Sequence, residues 1–384
     1  MLLKDLLAKA RRYHPSYRGG LSNHCPMTII ALERMGAAPM RVQHYALKYL
    51  LRMERAPQPG DAINAENWRE RLGEAEAYGE YLGFFQREVA RLNARAALRT
   101  YLPDLAPGLG AAAFHPIIRT AYGVIAEDSD EIAVGLAYWA SRYLPLAEGA
   151  EAATDTSFTP GEDPAAVLQQ TRDRPELTFE PDPDALIDRE MAEAAEHALF
   201  PAIAAALQVD DLTLGRLRQA AALLFLGADD FNSLHAVTGL HAARVLSDFA
   251  LDRRAFAEAV WRAFLALYLS LDRPELPTPA MAAELTTADL PDWNAILPAA
   301  VASDDDHAIK LVYSCLAESR AGGGRLYRYL AARKMALLGT AEADDAPETV
   351  KAEEKPEESK PAIEGGESET AQSEDESNGD PVQA

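Results

Sequence analysis

Apolar residues recur at a helical spacing along almost the whole chain, and this feature constrains its possible folds more than any other. Stretches such as EIAVGLAYWASRYL combine that spacing with abundant Ala, Leu, Glu and Arg, which favour helices. No run of alternating Val, Ile and Thr residues predicts a central strand. No long internal repeat indicates a helical solenoid. The sequence therefore predicts an all-α fold, with a single large multi-helix domain over residues 1–339 and a ligand site in its core.

Capping residues mark where several of these helices begin and end. Ser22 and Asn23 offer an N-cap before HCPMTIIALERM, and Gly36 follows that run as a C-terminal glycine. Ser129 offers a second N-cap. The segment 66–99 is predicted to form one long or broken helix. Further helices are predicted over residues 39–55, 184–207, 211–226, 232–249, 253–270, 280–288, 305–320 and 324–338.

Two segments depart from the helical pattern. Residues 149–183 are rich in Pro, Asp, Thr and Gly, and a loop of this length often serves as a lid over a binding site. Residues 340–384 are rich in Glu, Ser and Pro and hold almost no large apolar residues. Such a composition cannot bury enough apolar surface to fold, so this segment is predicted to be a disordered acidic tail.

The charge of the chain argues against a nucleic-acid partner. The formal net charge is −23, and residues 341–384 alone hold 15 Asp and Glu against 3 Lys. Nucleic-acid binding depends instead on clustered Lys and Arg that neutralise phosphates. We therefore expect a small-molecule partner rather than DNA or RNA.

Cysteine content and hydropathy indicate the compartment. Cys25 and Cys315 are far apart and form no CxxC motif, which favours a reducing cytoplasm. The N-terminal MLLKDLLAKARRYHPSY carries charges throughout, unlike a signal peptide. Apolar runs such as AALLFLGA are much shorter than the roughly 18–20 residues of a membrane span. We expect a cytoplasmic protein without a membrane partner, and the oligomeric state stays open.

Common catalytic motifs are missing from the sequence. The segment GLGAAA at 108–113 resembles a dinucleotide fingerprint only loosely, because it follows LAP and not a predicted strand. There is no P-loop and no Gly-x-Ser-x-Gly elbow. A tightly bound nucleotide and an α/β-hydrolase mechanism are therefore not supported.

Histidines at the starts of apolar helices are the main candidates for chemistry. Five of the eight histidines occupy such positions: His24, His115, His235, His241 and His307. Metal sites in helical domains take their ligands from several helices that face one core. Neutral imidazole suits Fe, Zn, Cu and Ni. Any one of these residues could instead be a packed or capping histidine, but their number favours a metal site.

His235 and His241 cannot both face the same site. They are six residues apart, which places them roughly 120° apart around a helix. His235 shares a face with Thr238 and Gly239, while His241 lies nearer Arg244. We rank His235 first as a ligand and His241 second.

Lys310 lies three residues after His307, so the two side chains share a helix face. One interpretation is that Lys310 extends along an apolar surface to water. The other is that it faces the core with His307, where burial lowers its pKa. A neutral amine could then add CO₂ to form a carbamate, which is an anionic metal ligand. Residues 304–306, DDD, would cap the helix, and one of them could orient His307.

Four blocks of the sequence together resemble the questin oxidase-like family. They are GLSNHCPMTIIALERMGA, FHPIIRTAYG followed by GLAYWASRYLPL, LHAVTGLHA, and DDDHAIKL, and they occur in the family's order from about Gly20 to Ser319. The resemblance implies a helical enzyme that uses O₂ to open the ring of an anthraquinone at a non-haem iron. It also implies that the iron is held by histidines and a modified lysine. The matching positions are His24, His115, His235, His307 and Lys310.

The resulting prediction is a metal-dependent oxygenase that acts on an aromatic or quinone-like polyketide. Arg119 and Tyr122 follow His115 by one and two helical turns, and they are candidates to contact a substrate oxygen. One alternative is a Baeyer–Villiger-type oxidation in which NADPH acts as a transient reductant. The other is a non-catalytic helical binding or scaffold protein with a structural metal.

Overall fold

The computed structural model describes residues 2–146, 157–179, 182, 185–287 and 289–338, and helices dominate this part of the chain. The all-α prediction is confirmed. The helices are α1 Leu2–Ala10, α2 Cys25–Arg34, α3 Pro39–Leu50, α4 Tyr78–Leu92, α5 Ala94–Leu105, α6 His115–Ala126, α7 Ser129–Ser141, α8 Pro164–Arg172, α9 Ile187–Glu196, α10 Phe200–Ala206, α11 Thr213–Ala228, α12 Leu234–Ser247, α13 Arg253–Ser270, α14 Pro279–Leu285, α15 Trp293–Ala302, α16 Asp306–Glu318 and α17 Gly324–Lys334. A short hairpin pairs β1 Ser16–Tyr17 with β2 Leu21–Ser22 in antiparallel register.

Four of these helices form a closed ring in the core. Helix α2 packs on α6, α6 on α12, α12 on α16, and α16 again on α2. A side chain at Gly239 of α12 would collide with the ring of Phe114, since a Cβ there would lie 2.7 Å from its Cγ. The missing side chain therefore lets α12 approach the segment that leads into α6 closely.

Predicted helix ends agree with the structure to within a few residues at α2 and α7. His24 is the N-cap of α2, and the Asn23 side chain accepts a hydrogen bond from the Cys25 N–H at 3.1 Å. Gly36 adopts the predicted left-handed conformation, with φ of 86°. The cap predicted at Ser129 was wrong by one residue, because the carboxylate of Asp128 accepts the N–H of Glu131.

Two of the long predicted helices are divided. The segment 66–99 contains α4 and the start of α5, which separate at Asn93 with φ of 68°. The Asn93 side chain accepts the N–H of Ala96 and so caps the second helix. The segment 184–207 divides at His197, whose extended backbone ends α9 before the next helix begins at Phe200. The side chains of Asn93 and His197 accept backbone N–H groups at these two breaks, and apolar periodicity does not report such contacts.

The loop predicted over 149–183 is wrong in its central part. Helix α8 occupies Pro164–Arg172, because Asp163 accepts the Ala165 N–H and Pro164 fits the first helical turn. The helix is short, so its periodicity is hidden by the polar residues around it. Residues 147–156 and the tail predicted over 340–384 lie outside the described residues. The lid role therefore stays a prediction.

The hydropathy of the helices bears on whether any of them could cross a membrane. Within the described ranges, no helix combines the length and apolar character that crossing a membrane requires.

Candidate metal centre

The N-termini of the four ring helices meet at one point, and each brings a histidine there. His24 caps α2, His115 begins α6, and His235 and His307 are the second residues of α12 and α16. His24, His115 and His235 are buried, and His307 is half-buried. The four histidines are far apart in sequence, but each lies at the start of its helix, and the meeting of these helix starts brings them into one cluster.

The four imidazoles form a compact ring. The Nε2 atoms of His24 and His115 lie 2.8 Å apart. Ring centroids are 5.0 Å apart for His115 and His235, 5.4 Å for His235 and His307, and 4.5 Å for His307 and His24. His24, His115 and His307 each offer a ligand atom within 4.8 Å of the other two.

Hydrogen bonds behind the rings fix the proton on Nδ1 of each histidine. His115 Nδ1 donates to the Ala112 carbonyl at 2.6 Å, and His235 Nδ1 donates to the Phe231 carbonyl at 3.1 Å. The Nδ1 atoms of His24 and His307 both face Oδ1 of Asp306, at 3.1 and 2.7 Å. These three acceptors, two carbonyls and one carboxylate, have no proton to give, so every Nε2 atom carries a lone pair.

This arrangement fits a bound cation. Two lone pairs that face each other at 2.8 Å repel, as those on Nε2 of His24 and His115 do here. The Nε2 atoms of His235 and His307 are buried and have no hydrogen-bond partner among the described residues. A metal ion would satisfy His24, His115 and His307, whose ligand atoms all lie within 4.8 Å of one another, and Asp306 provides the outer carboxylate that metal-binding histidines typically use. The ring of His235 lies beside those of His115 and His307, but His235 does not belong to that group of three.

The histidines are held in the neutral form that binds metals. Burial, with Lys310 nearby, lowers the pKa of His24 to about 3. Burial also lowers the pKa of His115 and His235 well below the usual range, and it lowers that of His307. Four helix N-termini point at this cluster, and their positive ends further disfavour imidazolium. Metal binding therefore needs little proton release near neutral pH.

A strained turn positions His115. Ala112, Ala113 and Phe114 precede it with φ of 42°, 52° and 67°, a left-handed conformation that costs non-glycine residues energy. This turn directs the Ala112 carbonyl at His115 Nδ1. Strain of this kind persists where surrounding packing fixes it, and it is typical of functional sites.

The structure places Lys310 in the interior, with 2% of its surface exposed, one turn after His307. Burial lowers its pKa to about 8, against the opposing effect of Asp306 and Asp305. Its charge contributes to the lowered pKa of all four clustered histidines. Burial alone would raise the pKa of Asp306, but His24, His307 and Lys310 hold it below its usual range.

His241 lies outside this cluster, which agrees with the prediction that His235 and His241 cannot both face the same site. Its Nδ1 donates to Glu318 Oε1 at 2.8 Å. Glu318 also accepts hydrogen bonds from the Nε atoms of Arg218 and Arg244, each at 2.6 Å. His241 is therefore part of a buried ion-pair cluster at the other end of α16.

Arg119 and Tyr122 are both fully buried, and neither is among the described residues that line the cavity beside the histidines. Arg119 Nε donates to Glu131 Oε1 at 2.6 Å in a buried ion pair. The Tyr122 ring packs against Tyr313, with centroids 5.6 Å apart. Their spacing after His115 is as predicted, and their contact with a substrate oxygen stays a prediction.

A cavity of about 550 Å³ opens beside the four histidines, which is large enough for an aromatic ligand. Its walls come from the β1–β2 hairpin, the start of α9 and the turn before α12. The lining residues that sequence reasoning missed are Tyr17, Gly20, Leu21, Ala112, Ala113, Asp182, Ala185, Leu186, Ile187, Asp188, Glu190, Phe231 and Asn232. The Gly19–Gly20 turn was a visible hairpin signal, whereas nothing in the pattern of α9 linked it to the histidines.

Comparison with known proteins places the chain in a family. Among curated proteins, no sequence matches it. The sequence profile of the family described as questin oxidase-like matches residues 21–315, a range that includes all four clustered histidines and Lys310. Since this match spans most of the chain and covers all four sequence blocks except Gly20, the protein belongs to the questin oxidase-like family.

Proposed function

We propose that the protein is a non-haem iron oxygenase that acts on an aromatic or quinone-like polyketide, with opening of a carbon ring as the reaction. One observation carries the proposal. The Nε2 lone pairs of His24 and His115 face each other at 2.8 Å, in a ring of four neutral imidazoles beside a cavity. The family match supports oxygenase chemistry on an anthraquinone-like compound.

The metal-binding residues in this proposal are His24, His115, His235 and His307. Iron bound there would supply the redox and Lewis-acid chemistry, with O₂ as the second reactant. Asp306 and the carbonyls of Ala112 and Phe231 hold the imidazoles in one tautomer and orientation.

Lys310 is proposed as a further ligand in carbamylated form. With a pKa of about 8, roughly a tenth of its amine is neutral at pH 7. The amine nitrogen adds to the carbon of CO₂ and releases one proton, which leaves a carbamate anion. That anion would offset the positive helix ends at this point and would give the metal an oxygen ligand.

The cavity walls would bind the substrate and exclude water. Leu21, Leu186, Ile187 and Phe231 offer apolar surface on which a planar ring can pack. Arg119 and Tyr122 stay candidates to contact a substrate oxygen, although neither is among the described residues that line the cavity.

Metal content and turnover test the proposal separately. Protein purified from iron-supplemented culture should contain about one iron per chain by elemental analysis, and it should consume O₂ with a hydroxyanthraquinone. Protein without a stoichiometric transition metal would contradict the metal centre. A bound metal with background O₂ consumption would instead favour a structural metal in a binding protein. Turnover that requires stoichiometric NADPH would favour the Baeyer–Villiger-type alternative.

A further inference from the structure

Ser22 is a buried serine in the wall of the cavity, and helix capping does not account for its hydroxyl. It is the last residue of β2, it is 8% exposed, and it lines the cavity together with His24 and His115. The sequence indicated an N-cap role for Ser22, but His24 is the N-cap of α2. The Ser22 hydroxyl instead contacts the hydroxyl of Tyr138 on α7, at 2.8 Å between the two oxygens.

The direction of this hydrogen bond follows from the surroundings of Tyr138. The phenol is 1% exposed, and burial raises its pKa, so it keeps its proton at neutral pH. Within the described part of the chain, Ser22 Oγ is the one hydrogen-bond acceptor that the Tyr138 hydroxyl contacts. Because a buried donor without an acceptor is costly, Tyr138 donates and Ser22 accepts. The proton of Ser22 is then left for an acceptor in the cavity.

The backbone that follows Ser22 is held in place on two sides. The Asn23 N–H donates to the Pro15 carbonyl at 2.8 Å, and the His24 N–H donates to the Tyr49 hydroxyl at 3.1 Å. The Ser22 donor is therefore fixed relative to His24, two residues later. A donor that is already ordered loses little entropy when it binds a ligand oxygen.

Donors of this kind are scarce in the cavity. The carboxylates of Asp188 and Asp306 accept hydrogen bonds, as do the Nε2 lone pairs of the histidines. Among the described lining residues, the uncharged side chains with an O–H or amide N–H donor are Tyr17, Ser22 and Asn232. Of these three, Ser22 is buried and the other two are half-buried. A ligand oxygen that can only accept therefore finds its fixed, buried donor at Ser22.

We propose that Ser22 donates a hydrogen bond to a carbonyl oxygen of the quinone substrate, and that Tyr138 positions the Ser22 hydroxyl for this contact. The inference rests on the proposed function, because it assumes that a quinone-like ring lies in the cavity beside the histidines. A carbonyl flanked by two hydroxyl groups of its own ring system already accepts their hydrogen bonds. Ser22 therefore selects the carbonyl without such neighbours, and ligands that lack this carbonyl bind more weakly.

Two ligands that differ at that carbonyl test the contact. In 1,8-dihydroxyanthrone, a CH₂ group stands where 1,8-dihydroxyanthraquinone has its free carbonyl, and the rest of the ring system is the same. Dissociation constants are measured by absorbance titration of the zinc-loaded protein without O₂, which binds without turnover. Ser22→Ala should weaken binding of the quinone about fivefold, as expected for one lost hydrogen bond, and change binding of the anthrone by less than about twofold.

The vibration of the carbonyl reports the hydrogen bond directly. Donation to a carbonyl oxygen weakens the C=O bond and lowers its stretching frequency. In infrared spectra of bound quinone labelled with ¹³C at the free carbonyl, this frequency should be lower in wild-type protein than in an apolar solvent. It should rise in Ser22→Ala. Tyr138→Phe should broaden the band and weaken quinone binding only about two- to threefold, since Ser22 is retained but no longer held in one orientation.

Ser141→Ala is the matched control. Ser141 is a buried serine on α7, and its hydroxyl donates to the Tyr138 carbonyl at 3.1 Å. It is not among the described lining residues. Its replacement removes the same kind of buried hydroxyl next to Tyr138, so the quinone affinity should stay within about twofold of the wild-type value and the carbonyl frequency should not move.

Three results would overturn the inference: equal losses of affinity for the two ligands in Ser22→Ala, a carbonyl frequency that is the same in that variant as in wild-type protein, or no measurable binding of the quinone. Unchanged affinity for the anthrone checks that the variant keeps an intact cavity. None of these measurements uses iron or O₂ consumption. Failure of the proposed oxygenase activity is therefore distinguishable from failure of the Ser22 contact.

Discussion

Helices α12 and α16 carry two histidine–carboxylate clusters of similar composition, one near each end of α16. At one end, Asp306 contacts His24 and His307, and His235 lies beside them. At the other end, Glu318 contacts His241 from the same α12. Both clusters are mostly buried, and both include histidine Nε2 atoms without partners in the described part of the chain.

The two clusters differ in what surrounds the carboxylate. Two arginines neutralise Glu318, so that cluster is complete without a ligand. The histidines around Asp306 instead direct several lone pairs at one another beside a cavity. An orphaned imidazole nitrogen alone is thus weak evidence for a metal. Convergence of several such nitrogens is the informative feature.

The largest expected effect separates two histidines of one helix. His235→Ala should lower the metal content to background, because it removes the α12 imidazole that lies beside those of His115 and His307. His241→Ala should keep full metal content, since it removes only a partner of Glu318. Elemental analysis of both purified variants checks this. Stoichiometric metal in the His235 variant, or its loss from the His241 variant, would reverse the assignment of the clusters.

The second effect concerns stability at the Glu318 end. Burial raises the pKa of Glu318, but His241, Arg218 and Arg244 lower it to about 2. Glu318→Gln should reduce the free energy of unfolding at pH 7 by about 3 kcal/mol, since it leaves the half-buried Arg218 and Arg244 without the buried carboxylate that they contact. Urea denaturation measures the loss, and the metal content should not change. Glu258→Gln, at an exposed i,i+4 ion pair, should cost less than about 0.5 kcal/mol.

At the metal end of α16, removal of a charged side chain should instead increase the stability of the protein. Lys310→Met in metal-free protein should raise the free energy of unfolding at pH 7 by about 3 kcal/mol, because a buried ammonium is removed. The wild-type pKa is lowered from 10.5 to about 8. Between about pH 8 and 10.5 the unfolded state therefore binds more protons than the folded state. The free energy of unfolding of the wild-type protein rises with pH in this range. The advantage of the variant should shrink from pH 8 to 10.5, whereas a constant or negative difference would show that Lys310 is not a buried cation.

The smallest expected effect distinguishes Asp306 from Asp304, which lies two residues earlier in the same aspartate run. Asp306→Asn should weaken zinc binding about 10- to 100-fold in a chelator competition assay, because the amide holds the imidazoles less strongly. Asp304→Asn is the control, since Asp304 is exposed and pairs with Lys48 and Arg41. It should change the affinity by less than about twofold. Equal effects would indicate that the helix start, and not the contact with His24 and His307, determines metal affinity.

The sequence predicted the helical fold and the clustered histidines because both depend on local signals. Apolar periodicity defined the helices, and first-turn placement identified His24, His115 and His307. Helix geometry showed that His235 and His241 cannot face the same site, and the position of His241 near Arg244 ranked His235 first. The burial of Lys310 could not be predicted from spacing, because the spacing also allowed an exposed side chain. Only the packing of α16 places Lys310 in the interior.

The remainder of the site depends on tertiary contacts that local patterns do not contain. Helix α9 brings Asp188 and Glu190 to the cavity, although its pattern is that of an ordinary amphipathic helix. The left-handed turn at 112–114 is built from Ala-Ala-Phe, a sequence with no turn signal. Arg119 had the correct spacing for a role at the site, but Glu131 holds it in the core.

The closed ring of α2, α6, α12 and α16 has a consequence for unfolding. His24 and His115 are 91 residues apart in sequence, and His235 and His307 lie much further along the chain. A cation held by all four would act as a cross-link that closes several long loops at once, and such closure removes entropy mainly from the unfolded chain. Metal removal should therefore lower the stability of the whole helical ring, including parts distant from the imidazoles.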